Sequence, residues 1–228
     1  MLDALAEGAG PAAAWTAVTR PALVLGRAAS DPPLDETLAA REEIVIRRRG
    51  SGGGAVLWDA DLLALDVALP AGHALADRDV VRAYRWLGAA LADAMRDLGA
   101  EDVHLVLPEE ARAAREASRA TAAACFGALS SYEVTAAGRK LVGVSQIRRR
   151  HGMLLQAGIP LAFDASRLAR LLLLDRAAAD ALAAGTVGLA ELVPGVTMGD
   201  VVTAVERRVS AHGIGEASRT DPRETPCA

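Results

Sequence analysis

The sequence predicts a single domain that joins a β-sheet to helices in an α/β (α+β) arrangement, and three patterns carry that expectation. Short apolar runs broken by Gly, Pro or Asp crowd the first third and read as strands. From Asp77 the period changes to spacings of three and four, which is one apolar stripe of a helix. The last third is helix-forming almost throughout. At 228 residues and 52% hydrophobic composition the chain can bury a full core, so one large domain over 1–212 is expected rather than two.

Along the chain, Ala22 to Leu25, Glu43 to Ile46, Ala55 to Trp58 and Leu62 to Leu69 are the first strands. Val80, Tyr84, Leu87, Leu91, Met95 and Leu98 share one helix face, and Gly99 closes that helix. Val103, Leu105 and Leu107 alternate as a half-buried strand that Pro108 stops. The stretch from Glu109 to Ala124 lacks a firm apolar period and reads as a weak helix or a mobile connection, of the kind that often serves as a lid. Tyr132 to Thr135 and Lys140 to Val144 flank a tight hairpin turn at Gly138, and a further strand covers Met153 to Leu161. Helices follow from Arg167 to Ala184, in one or two pieces, and through Val201, Val205 and Val209, where Thr197 and Asp200 form a capping-box pattern. Residues 213–228 are polar and proline-containing and are expected to be a disordered tail.

Charge and composition exclude several classes. A net charge of -4 offers no basic surplus for binding phosphates, so nucleic acid is not an expected partner. The opening residues lack the basic and apolar regions of a secretory signal, and the most apolar runs are broken by charges far short of the roughly 20 residues of a membrane span. A cytoplasmic protein without membrane attachment is expected, and a monomer. Cys125 and Cys227 suggest neither a structural disulfide nor a metal cluster, and no metal site is expected. Of 25 basic residues, Lys140 is the only lysine. Codon drift toward arginine explains the scarcity but not the survivor's position.

Arg47-Arg48-Arg49-Gly50-Ser51-Gly52-Gly53-Gly54-Ala55-Val56 joins two strands, the wrong context for a Walker loop or a dinucleotide fingerprint, both of which lead into a helix. Consecutive glycines let the main chain approach a ligand, and successive N–H groups can cradle an anion or an acyl carbonyl. A plain hairpin turn beside a solvated basic run would use the same residues. The pattern R-R-x-S-G-G-G-A-V nevertheless resembles the substrate-binding loop of lipoate protein ligases and their octanoyltransferase relatives. Those proteins usually continue into His-Asp, where this chain has Trp58-Asp59.

Two further blocks carry the same resemblance. Gly138 to Gln146 resembles the family's G-R-K-x-x-G-x-x-Q strand and puts the single lysine at the family's lysine position. Cys125-Phe126-Gly127-Ala128-Leu129-Ser130-Ser131-Tyr132-Glu133 resembles the C-F-x-A-x-S-x-Y-E stretch of the octanoyltransferase branch, which holds a nucleophilic cysteine. A lone cysteine is otherwise more often a small buried hydrophobe. Met153 to Ile159 resembles the L-L-Q-H-G-S-I strand, with Ala157 in place of histidine, and nearby His151 reads as a surface turn residue. The resemblance runs from about Pro21 to about Val209.

It implies an α/β domain with a mixed, largely antiparallel sheet flanked by helices, the class II synthetase and biotin-ligase-like fold. It also implies an acyltransferase that moves an octanoyl or lipoyl group from a thioester to a lysine of a lipoyl carrier domain. Cys125 would be the nucleophile, and Lys140 with Gly52, Gly53 and Gly54 would hold the oxyanion. Arg48, Arg49, Ser51, Ala55, Gly143, Ser145, Gln146, Gln156 and Gly158 would complete the substrate site. The thioester would come from acyl carrier protein or a lipoylated protein, and the acceptor would be a glycine cleavage H protein or a 2-oxo acid dehydrogenase E2. Six methylenes in an apolar slot would contribute on the order of 5 kcal/mol, enough to select chain length. No cofactor is implied. Two alternatives stay open: an ATP- and Mg-dependent lipoate ligase working through an acyl-adenylate, and a non-catalytic acyl- or carrier-binding paralogue.

Overall fold

Two nine-residue strands, β5 (Leu62–Pro70) and β9 (Gly152–Pro160), pair along their whole length and form the middle of the main sheet. The computed structural model describes residues 1–16, 18–27, 31–117, 121–215 and 218–220. β8 (Arg139–Arg149) lies on the far side of β9, then β7 (Val134–Ala136) and β6 (Val103–Leu105). On the near side of β5 come β1 (Ala12–Thr16) and β10 (Ser218–Thr220). Every neighbouring pair in this seven-stranded sheet is antiparallel except β1 with β10. A smaller sheet is ordered β3 (Val45–Arg48), β2 (Ala22–Leu25), β4 (Val56–Trp58), with β2 and β3 parallel. The mixed, largely antiparallel sheet and flanking helices expected from the sequence are present.

Alternation decides which face of the main sheet is covered. Leu65, Val67, Leu69, Leu155 and Ala157 join Leu87, Leu91 and Met95 of α3 (Arg85–Asp97) and Val201, Val205 and Val209 of α8 (Met198–Ser210) in the principal core. The smaller sheet packs Leu23, Leu25 and Leu57 against α2 (Glu36–Arg41), α5 (Ala165–Leu171) and α6 (Arg176–Gly185), while α1 (Leu2–Ala6) sets Leu5 with Ala68, Ile147 and Leu154, and α7 (Leu189–Leu192) adds Leu189 to the principal core. The capping box at Thr197 and Asp200 forms as its pattern requires, with both reciprocal bonds in place. At the β7–β8 turn Ala137 and Gly138 both take positive φ, 48° and 73°, the geometry that a two-residue hairpin needs. No helix among the described residues is long and apolar enough to cross a membrane.

Several boundaries differ from the sequence expectation for local reasons. The helical stripe does not begin at Val80: Val80 and Val81 are exposed, because Asp77 and Asp79 accept the N–H groups of Asp79, Val81 and Arg82 and hold a turn there. Helix α2 was not legible as an element, and Glu43 leaves it at φ 54°, so the strand expected from Glu43 starts at Val45 and takes in Arg47 and Arg48. The region after Pro108 is helix α4 (Pro108–Ala117). Ile214 is buried in the core and Ser218–Thr220 pairs with β1, so the expected tail does not begin at 213; residues 221–228 lie outside the described residues.

Helices α3 and α8 are clamped at one end by Asp97, which accepts from Arg207 at 2.6 Å and from Arg208 at 2.6 and 2.7 Å. The Arg208 hydrogen bond above all holds the Asp97 carboxyl down, to about 2. A depressed carboxyl contributes stability above its unfolded value, near pH 4, and loses it as pH falls through 2. Asp97→Asn is therefore expected to melt below the wild type at pH 7, by a gap that closes as the pH is lowered toward 2. Paired thermal melts across that range check this, and a gap independent of pH would assign the effect to packing instead.

Candidate active site

The glycine loop is fixed from beneath by Arg49. Its guanidinium donates to Val24 O at 3.1 Å, Gly52 O at 2.9 Å and Gly54 O at 2.8 Å, so one planar fork ties the end of β2 to both sides of the turn. Gly53 has φ +96°, and a Cβ on Gly26 would lie 2.0 Å from Gly53 O, so the loop can rest on β2 only because residue 26 has no side chain. Gly26 was not singled out from the sequence; its only signal is its position at the end of an apolar strand. Arg48 is exposed and does not itself line the cleft, but it pairs with Asp31, which does.

The cysteine loop is stitched to the same turn. Ala55 N–H donates to Ala123 O at 2.7 Å and Cys125 N–H to Ala55 O at 2.8 Å. A Cβ on Gly54 would meet Ala123 O at 2.6 Å, and one on Gly53 would stand 3.4 Å from Cys125 Sγ, so the thiol faces the glycine main chain directly. Among the described residues no acceptor meets the N–H groups of Gly52, Gly53 or Gly54. They are available to an oxygen that arrives beside the sulfur.

Lys140 holds this loop from behind. The side chain is 1% exposed, and its ammonium donates to Cys125 O at 2.8 Å and Ala128 O at 2.9 Å and pairs with Glu133 Oε1 at 2.7 Å. Three N–H bonds meet three acceptors, and Lys140 is not among the residues that line the cleft. The oxyanion contact expected of it from the sequence is thus not made here; an ammonium so engaged positions the cysteine loop. Glu133 is itself buried, and burial pushes its carboxyl upward while Lys140 and the N–H groups of Ser130 and Val144 pull it back.

Phe126 explains two more residues. Gly143 and Gly158 face each other across β8 and β9, and the Phe126 ring lies over both, 3.6 and 3.8 Å from where their Cβ atoms would be. The Lys140 ammonium stands 5.2 Å from the same ring centroid. Both glycines, expected to bind substrate, instead seat Phe126. Gln146 is likewise behind the wall: it donates to Val80 O at 2.7 Å and bonds Tyr84, which does line the cleft. Gln156 bonds Asp66 and Ser51, and Ser51 in turn meets Ser145. Trp58 and Ala157, at the family's histidine positions, pack beside Phe126 and in the principal core, while His151 is exposed in a turn.

What remains is an open cleft of about 1170 Å³. Gly52, Gly53, Gly54, Ala55, Cys125 and Ser145 of the expected site line it, together with Leu25, Arg27 and Val144, and α4 contributes Ala111 and Arg112. The segment expected to be a helix or a mobile connection is thus one side of the site; residues 118–120 lie outside the described residues.

Residues 1–210 match the model of the lipoyl protein ligase A/B catalytic domain. Octanoyltransferase LipM of Moorella thermoacetica is 42% identical over 113 residues, 49% of this chain and 38% of that protein. Octanoyltransferase LipM of an Exiguobacterium species is 33% identical over 132 residues, 58% of this chain and 47% of that protein. The chain thus spans less than half the length of these curated relatives. A crystal structure of lipoate-protein ligase A bound with ATP superposes with a TM-score of 0.71 at 19% identity, over 95% of this chain and 79% of the other.

Removing one partner of a buried ion pair leaves the other charge uncompensated, at about 3–5 kcal/mol. Lys140→Met is expected to lower stability by an amount in that range, read from the denaturant midpoint. Lys140→Arg, near neutral for a surface charge, is expected to lower the midpoint as well, because a guanidinium is larger than the ammonium that fills this site. Unchanged midpoints in both variants would mean that Lys140 does not hold the cysteine loop.

Proposed function

The chain belongs to the lipoyl protein ligase A/B catalytic-domain family, and from that premise we propose that it transfers an octanoyl group, or the related lipoyl group, from a thioester to a lysine of a lipoyl carrier domain. The observation that carries this reading is the placement of a free cysteine in the cleft against glycine main chain whose N–H groups have no protein acceptor among the described residues. An ATP-dependent activation of a free acid has no use for that thiol.

On this reading the Cys125 sulfur attacks the thioester carbonyl of octanoyl-phosphopantetheine on acyl carrier protein. The glycine N–H groups meet the oxygen as it takes negative charge. The carbonyl–sulfur bond to pantetheine breaks, its sulfur leaves with the proton that Cys125 has given up, and an octanoyl-thioester enzyme remains. A lysine amine of the acceptor, a glycine cleavage H protein or an E2 subunit, then takes the acyl group as an amide. Thioester to thioester is nearly balanced and thioester to amide runs downhill, so the sequence of steps needs neither ATP nor a metal. Leu25, Ala111, Ala122, Ala123, Ala128 and Val144 give the cleft the apolar and small surfaces along which an eight-carbon chain can lie. Such a reaction belongs in the cytoplasm, with soluble carriers on both sides of it.

Incubation with octanoyl-acyl carrier protein in the absence of ATP is expected to add one octanoyl group to the protein by intact mass. Cys125→Ser is expected to abolish the adduct, and Cys227→Ser to retain it. An adduct formed only from octanoic acid with ATP would replace the transferase reading with that of a ligase.

A further inference from the structure

Asp66, Gln156 and Ser145 occupy one row across β5, β9 and β8: Asp66 is in register with Gln156, and Gln156 with Ser145. The hydrogen bonds along the row all run in one direction. Gln156 Nε2 donates to Asp66 Oδ1 at 2.9 Å, Ser51 Oγ donates to Gln156 Oε1 at 2.9 Å, and Ser145 Oγ donates to Ser51 Oγ at 3.1 Å. Asp66, Ser51 and Gln156 do not line the cleft, whereas Ser145 does.

The direction is not free to vary. An ionised carboxylate only accepts, so the Gln156 amide must turn its nitrogen to Asp66 and its oxygen to Ser51. With its one proton given to that oxygen, Ser51 can only accept from Ser145. Ser145 therefore has no proton left for the cleft. What it presents there is an oxygen with a vacant lone pair, to which no described residue donates. Ser51 is 1% exposed, so water cannot easily reorient the middle of the chain.

The two halves of acyl transfer ask for opposite polarity. Stabilising the oxyanion takes hydrogen-bond donors, which the glycine loop supplies. Holding an attacking amine takes an acceptor; the carboxylates of Asp31, Asp79 and Glu133 in the cleft wall are already engaged by Arg48, by the N–H groups of Val81 and Arg82, and by Lys140, whereas Ser145 offers an acceptor oxygen that no described residue meets. We propose that Ser145 binds the N–H of the acceptor lysine's amine, with Asp66 acting through Gln156 and Ser51 as the positioning residue that fixes its polarity. This deepens the acyl-transfer reading above and rests on it. The amine lone pair attacks the octanoyl carbonyl, the carbon–sulfur bond to Cys125 breaks, and the pair returns to sulfur. One amine proton passes to that sulfur, and Ser145 holds the N–H that stays on the amide nitrogen.

The test separates the two half-reactions at pH 8, by quenching single turnovers and reading intact masses. Ser145→Ala is expected to form octanoyl-enzyme at a rate within threefold of wild type, and to pass the group to a lipoyl domain at least tenfold more slowly, a loss typical of one hydrogen bond to a polar group (about 10-fold). Ser51→Ala keeps the Ser145 oxygen but frees its proton, and is expected to slow only the second step, by less than Ser145→Ala. Wild-type transfer by Ser145→Ala would overturn the proposal, and equal slowing of both steps would assign Ser145 to the thioester substrate or to folding. If the wild type is not acylated by octanoyl-carrier, the transferase reading has failed on its own. The same split is then read with ATP and octanoic acid as adenylate formation against amine transfer, and Ser145→Ala must again slow only the latter.

Discussion

The site depends on one buried ammonium. Lys140 is almost completely removed from water, and a charge so placed is tolerated only when every donor is matched. Its three partners come from three places: the carbonyls of Cys125 and Ala128, and Glu133, the residue just before β7. The strand that carries Lys140 thereby becomes the reference against which the cysteine is placed. Glu133 is held in turn by the N–H groups of Ser130 and Val144, so the tie is closed at both ends. An arginine could not enter so small a space with the same three contacts, which gives a physical reason for the one lysine in a chain that otherwise uses only arginine.

Close approach of main chain does the rest. The glycine loop touches β2 through Gly26, the cysteine loop through Gly54, and the thiol through Gly53, at separations that a Cβ would forbid or crowd. Arg49 binds the loop's carbonyls and so leaves the N–H side of Gly52, Gly53 and Gly54 without an internal acceptor. That asymmetry turns a hairpin into a cradle suited to negative charge: carbonyls face the guanidinium, and the amide hydrogens have no acceptor among the described residues. The basic run beside the loop is thus divided in its work. Arg49 shapes the turn, while Arg48 pairs with the cleft-lining Asp31.

Sequence reading reached the sheet-and-helix architecture because alternation and capping are local signals, and Leu62 to Leu69 or Thr197 to Val209 carry them without ambiguity. It reached Cys125 and the glycine loop as cleft residues through motif resemblance. Direction was out of reach. Lys140 and Gly143 lie in a motif that reads as substrate-binding, yet in three dimensions they face the back of the cysteine loop. A motif records that residues act together and not which side of a loop they stand on. Gly26 and Asp66 escaped notice for a different reason. Each matters through a residue far away in sequence, Gly53 and Gln156, and no local pattern marks such a pairing.

The polar row beneath the cleft shows why a half-buried carboxylate is kept in an otherwise apolar strand. Burial raises the Asp66 carboxyl from its ordinary value, with the Gln156 amide lowering it again, so keeping it ionised is costly. A leucine would serve the strand better, since Asp66 interrupts the run from Leu62 to Leu69. What an acceptor-only anion adds is polarity, because it alone dictates which way the amide and the two hydroxyls after it must point. A neutral amide at position 66 could face Gln156 with either its oxygen or its nitrogen, and the hydroxyl at the cleft could then end as donor or as acceptor. On the proposed reaction that difference is decisive. A hydroxyl that turned its proton into the cleft would meet an approaching N–H donor to donor, whereas one held as an acceptor is what an incoming amine requires. The cleft thus has donors where negative charge forms and an acceptor where a proton-bearing nitrogen arrives.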